Sequence, residues 1–254
     1  MKKVLVLVPF PMSDENRDLR RQQVASVDLG PDISFDFRST RAAPRNYISG
    51  SDMALAEIGM LEAGLDAEAE GYDAVCIDTM SDSGVAALRS EQSIPVIGPG
   101  RAAVLSAMML GNRFSIITMW DRWRHLYEKT LTDLGLAHAC ASVRSLDVVP
   151  DNQALLAGKE EDTFPALGEL AEKCISEDRA EVIILGSTTM HQAHSYLANR
   201  LPVPVINPGP LSYKIAQSLL DMGLTHSRAA YPSTVVSRRD MIHAMLEAGS
   251  KFDH

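Results

Sequence analysis

The chain carries the same passage twice. Residues 73–100 read DAVCIDTMSDSGVAALRSEQSIPVIGPG, and residues 180–209 read AEVIILGSTTMHQAHSYLANRLPVPVINPG. Each copy is an apolar run, then a turn rich in small hydroxyl side chains, then a helical stretch, then a Pro-Val-Ile-x-Pro-Gly segment. Thr79 in the first copy matches Ser187 in the second. From Thr79 to Pro95 is 16 residues, and from Ser187 to Pro204 is 17. A repeated strand–turn–helix unit constrains the fold to two similar halves, each presenting the same turn.

Short apolar runs lie at 4–8, 33–37, 74–77, 95–97, 114–118, 139–143, 182–185 and 203–206. Many are apolar at every position, which suits strands of a parallel sheet buried on both faces. Between them, 53–70, 102–110, 122–134, 164–176 and 211–222 space their apolar residues by three and four, as helices do. Strand–helix alternation predicts an α/β fold with right-handed crossovers. Eight strands divide into two pseudo-symmetric lobes, each a four-stranded, mainly parallel sheet flanked by helices, with a ligand cleft between the lobes. The expected division is 1–98 with 212–254 for lobe one and 99–211 for lobe two. In open α/β sheets ligands sit beyond the carboxyl ends of the strands, which is where Thr79 and Ser187 fall. Each turn is expected to open a helix directly, with Asp82 capping the first.

A formal charge of −9 argues against nucleic acid and anionic membranes as partners. Three cysteines, Cys76, Cys140 and Cys174, lack any CxxC spacing, which predicts a reducing compartment with neither disulfides nor structural zinc. The opening MKKVLVLVPFPM imitates a signal peptide, but its apolar stretch is short and runs into prolines. A buried first strand and a cytoplasmic location are the expectation. No apolar run approaches the roughly 20 residues of a membrane span.

Beyond these patterns, the chain resembles the Asp/Glu/hydantoin racemase superfamily, and within it the hydantoin and allantoin racemase branch. The resemblance rests on PVIGPGRAAVLSAMMLGNRFSIITMWDR (95–122), CASVRSLDVVP (140–150), EVIILGSTTM (181–190) and PVINPGPLSYKIAQSLLDMGL (204–224) in this order. It implies cofactor-independent proton transfer at a carbon next to a carbonyl, by two cysteines, one per lobe. It also places those cysteines at Thr79 and Ser187, and neither is a cysteine here. A hydroxyl is too weak an acid to act as alkoxide without a neighbouring base. Cys76, three residues upstream, reads as a small buried strand residue. The Asn-Pro-Asn turn common after the first strand of the branch is replaced by Pro9-Phe10-Pro11-Met12.

Thr79 and Ser187 read as helix caps or as ligand contacts, and their matched positions favour contact. His191 and His194 follow Ser187 by four and seven residues; on one α-helical face His191 could serve as base, the alternative being a partly exposed helix histidine. Trp120, Arg122 and Trp123 occupy the place of the Pro9–Met12 turn in the second half. Arg122 could hold a carboxylate bidentately or form a surface ion pair. Asn207 reads equally as ligand contact or turn former. The candidate catalytic residues are thus Thr79, Ser187 and His191, with Pro11, Met80, Ser81, Trp120, Arg122, Thr188 and Asn207 as candidate substrate contacts. No motif for a cofactor or a metal is present. The expected enzyme is an isomerase or racemase acting on a small carboxylate, hydantoin or ureide, as a homo-oligomer. A lyase, decarboxylase or hydrolase on the same scaffold, and a catalytically silent binding protein, are the alternatives.

Overall fold

A computed structural model describes residues 1–44, 46–149 and 163–252; Pro150, the last residue of the 140–150 segment, lies outside them. The chain forms two compact units, Met1–Gly98 with Ser212–His254, and Pro99–Leu211.

The first unit holds β1 (Lys2–Val8), β2 (Ile33–Ser39), β3 (Ala74–Ile77) and β4 (Val96–Ile97). The second holds β5 (Phe114–Thr118), β6 (Cys140–Ser145), β7 (Val182–Leu185) and β8 (Val205–Ile206). Both sheets have the same order, β2-β1-β3-β4 and β6-β5-β7-β8, and every pairing is parallel. The repeat extends to the registers: Leu7 pairs with Ile77, and Ile117 with Leu185. Just past those pairs, Asp78 N donates to Leu7 O at 2.9 Å, and Gly186 N donates to Ile117 O at 2.8 Å.

The runs at 4–8, 74–77, 114–118 and 182–185 are buried throughout. Leu5, Leu7, Val75 and Ile77 pack with Met60, Ala63 and Leu88 in the first unit. Ile117, Ile183 and Leu185 pack with Leu167, Ala171 and Leu197 in the second. Burying each Leu or Ile contributes about 1.5–3 kcal/mol, so these clusters fix where each strand ends.

The helices are α1 (Asp14–Arg21), α2 (Gly50–Gly64), α3 (Val85–Glu91), α4 (Pro99–Leu110), α5 (Arg124–Leu134), α6 (Phe164–Ser176), α7 (Ala193–Arg200), α8 (Pro208–Asp221) and α9 (Arg239–Gly249). Several boundaries differ from the expected ones. Helices α4 and α8 start three residues early, on Pro99 and Pro208. Proline fits a first turn because its missing N–H has no partner to lose there, so each Pro-Gly pair opens a helix. Helix α2 stops at Gly64 instead of running to residue 70. A Cβ at Gly64 would fall 2.8 Å from a Leu7 methyl and 2.9 Å from one of Leu88. Strand β6 begins at Cys140, after a 3₁₀ turn over Ala137–Ala139, and its register with β5 shifts at Phe114/Ser115. Among the described residues no helix is long and apolar enough to cross a membrane.

Candidate active site

The first turn begins where β3 ends. Asp78 closes the strand with its side chain fully buried. It takes Arg20 Nη1 at 3.0 Å on one oxygen and Gln23 Nε2 at 3.4 Å on the other. The backbone then leaves the sheet, and three hydroxyls link in series. Thr79 Oγ1 lies 3.2 Å from Ser81 Oγ, which lies 2.8 Å from Ser83 Oγ. Thr79 is half-buried; Met80 and Ser81 are buried.

Helix α3 does not start at this turn. Asp82 adopts a left-handed φ of 53°, and Gly84 at φ 83° stands before the first helical residue, Val85. Neither Thr79 nor Asp82 caps α3, so the expectation of a helix opening at Thr79 is corrected. Left-handed residues interrupt right-handed helix geometry, and two lie between Thr79 and Val85. The Gly84 N–H is instead accepted by Glu57 Oε2 at 2.7 Å. Asp82 packs on Gly98, where a Cβ would fall 2.4 Å from Asp82 Cγ.

The second turn follows β7. Gly186 is boxed in: a Cβ there would lie 2.7 Å from Tyr127 Oη and 2.8 Å from Ile117 O. Tyr127 Oη donates to Gly186 O at 2.7 Å. Ser187 is the N-cap of a 3₁₀ helix, Thr188–Gln192, and accepts from Thr189 N at 3.2 Å. Its Oγ lies 2.6 Å from Thr189 Oγ1. Both turns therefore join the matched hydroxyl to a second hydroxyl two residues on.

The 3₁₀ geometry corrects the expected single face for Ser187, His191 and His194. At three residues per turn, side chains four apart no longer stack. His194, in α7, instead bonds Val205 O through Nε2 at 3.1 Å. The His191 carbonyl accepts from Asn207 Nδ2 at 3.3 Å. A carbonyl can only accept, so the amide of Asn207 is oriented, and its Oδ1 is left buried with no partner among the described residues.

The remaining candidates sit at the ends of the neighbouring strands. Exposed Pro11 lies in the turn between β1 and α1, whose N-cap is Ser13. After β5, Trp120 packs edge-on against Trp123 at 6.3 Å, and the Arg122 guanidinium lies over the Trp120 ring at 5.8 Å. Thr79, Met80 and Ser81 thus share one turn of the first unit, while Ser187, Thr188 and His191 share one of the second, with Asn207 tied to it. Sequence reading missed Arg20, Gln23, Glu57 and Tyr127. Only Asp78 had a signal, a carboxylate ending a wholly apolar run.

All three thiols are held in the protonated form. Burial pushes Cys76 and Cys174 upward, and pushes Cys140 up to about 11. Among the described residues no group of three or more His, Cys, Asp or Glu is arranged to hold a metal ion.

Residues 20–216 match the Asp/Glu/hydantoin racemase family model. The chain belongs to this family. It is 34% identical to a hydantoin racemase of Rhizobium meliloti over 195 residues, 74% of this chain and 78% of that one. Among solved structures it resembles allantoin racemase from Klebsiella pneumoniae, with a TM-score of 0.83 and 26% identity, covering 95% of this chain and 99% of that one. Allantoin racemase from Pseudomonas fluorescens gives a TM-score of 0.81 at 26% identity, covering 94% and 99%. The chain is an enzyme of the racemase superfamily.

Proposed function

We propose that this enzyme inverts the carbon next to a carbonyl in a small hydantoin- or ureide-type substrate by moving its proton. The observation that carries the reading is the matched pair of hydroxyl links, Thr79–Ser81 and Ser187–Thr189, just past equivalent strands. Removing a proton beside a carbonyl sends the electron pair to the carbonyl oxygen. Hydroxyl donors aimed at that oxygen favour the enolate over the ketone. In this reading Thr79 and Ser187 each give a hydroxyl to a substrate oxygen, and His191 carries the proton, which returns on the opposite face of the carbon. The oriented Asn207 Oδ1, without a partner among the described residues, accepts a substrate N–H. Met80, Ser81 and Thr188, and with them Pro11, Trp120 and Arg122, are the further substrate contacts of this reading. The raised thiol pKa values support a proton path that bypasses cysteine.

The test is incubation of the enzyme with optically pure allantoin and an optically pure 5-substituted hydantoin in D₂O. Loss of optical rotation should accompany deuterium uptake at the inverted carbon, well above the uncatalysed rate. Product formation by ring opening or CO₂ release, without exchange in recovered substrate, would overturn the reading in favour of a hydrolase or lyase. Binding with no turnover would leave a binding protein. We further propose that the enzyme acts in the cytoplasm as a homo-oligomer, which light scattering of the purified chain and cell fractionation test.

A further inference from the structure

We infer that Arg20 and Asp78 form a positioning pair that sets the Thr79 turn relative to the Pro11 turn. The inference rests on the reading of Thr79 as a substrate contact. Asp78 immediately precedes Thr79, and its two carboxylate oxygens are held by Arg20 and Gln23, both from the segment that follows the Pro11 turn. That segment enters α1 through the Ser13 cap, and Pro9 is tied by Tyr47 Oη to its carbonyl at 3.0 Å. Strands β1 and β3 are neighbours, so their two end turns are neighbours as well. The pair bridges the segment behind one turn to the residue that begins the other.

The fold itself does not call for this pair. The Arg20 and Asp78 side chains are 3% and 0% exposed. Two charges taken that far from water lose hydration that their attraction scarcely repays, and apolar replacements are often neutral or stabilising. The repeat provides an internal comparison. The position equivalent to Asp78 is Gly186, which has no room for a side chain, and its turn is held by the neutral Tyr127 hydroxyl. One half builds the same strand end with no charge at all. What the pair adds is direction, because Arg20 holds one carboxylate oxygen of Asp78 while Gln23 holds the other, and together they fix its angle.

The experiment compares wild type, Arg20→Met/Asp78→Leu and Asp78→Asn on whichever of allantoin or a 5-substituted hydantoin the wild type turns over. The apolar double variant should melt no lower than wild type, yet kcat should fall by about 100-fold, the scale of a 1 Å misplacement, with a smaller rise in KM. A lowered melting temperature with unchanged kcat per folded molecule would reduce the pair to a structural one and overturn the inference. If the double variant does not fold, Asp78→Asn decides, because it keeps the shape and removes only the charge; unchanged kcat in that variant overturns the inference too. Amide hydrogen exchange at residues 79–83 and 12–13 needs no substrate. Both stretches should exchange faster in a variant without the pair. Unaltered exchange would defeat the positioning role even if neither compound is turned over, which is a failure of the proposed activity alone.

Discussion

The Tyr127 hydroxyl stands between Thr118 and the Gly186 carbonyl, 2.7 Å from each. It has one hydrogen, which goes to the carbonyl, so Thr118 must donate to Tyr127. Burial pushes the phenol pKa up, which keeps Tyr127 a neutral donor. The chain of bonds ties α5 to the residue before Ser187.

Tyr127→Phe should therefore leave a buried carbonyl and a buried hydroxyl unpaired. The expected loss is about 1–3 kcal/mol of unfolding free energy, measured by urea denaturation at constant m. Turnover should fall as well, because the Ser187 turn loses its anchor. A midpoint equal to wild type would show that neighbouring groups re-pair without Tyr127.

The repeat exposed Thr79 and Ser187 because their spacing from the strand and from the Pro-Val-Ile segment is local. Strands at 74–77 and 182–185 were legible to the residue, since these runs, buried on both faces, carry no polar interruption. Tyr127 and Arg20 carry no such mark: each reaches its partner across 59 and 58 residues, and on its own helix each reads as an ordinary residue. The helix starting only at Val85 was hidden for another reason. Asp82 takes a left-handed φ, an uncommon choice for a residue with a Cβ, and the proximity of Gly98 that accompanies it is tertiary.

His243 on α9 bridges two carboxylates of the first unit, Glu62 Oε1 at 2.8 Å and Asp66 Oδ2 at 2.9 Å. Glu62 also faces Arg41, and Asp66 faces Arg239. The Glu62 bond, then that of Asp66, raises the imidazole pKa against the opposing effect of burial. A histidine whose folded pKa is raised adds stability that is complete below its unfolded value near 6.5 and is lost as pH climbs through the folded value. His243→Gln should thus destabilise the protein more at pH 6 than at pH 9. Denaturation curves of both proteins at the two pH values give the comparison, and equal gaps would mean that folding does not raise the imidazole pKa.

Alkylation should spare the activity. The thiolate is the reactive form, and Cys76 and Cys174 are buried while Cys140 is pushed up to about 11. Iodoacetamide at neutral pH should label the folded enzyme slowly and leave turnover intact, whereas the unfolded chain should take up three labels, one per cysteine. Inactivation in step with modification of Cys76 would move the chemistry to that thiol.

The two matched hydroxyls separate binding from chemistry. Thr79 Oγ1 and Ser187 Oγ each already share a hydroxyl partner two residues on, so removing one leaves Ser81 or Thr189 without it. If both hydroxyls hold substrate oxygens, Thr79→Val and Ser187→Ala should each weaken ligand binding by about 1–3 kcal/mol, the scale of a hydrogen bond to a charged group. If Ser187 instead relays the proton with His191, Ser187→Ala should lower turnover by orders of magnitude and leave binding nearly intact. His191→Ala should then cost as much, and the double variant no more than either single one, because residues acting as a unit are not additive. A dissociation constant and a turnover number for each variant on one substrate distinguish the cases. Wild-type values for Thr79→Val and Ser187→Ala together would remove both turns from the site and leave the repeat as architecture alone.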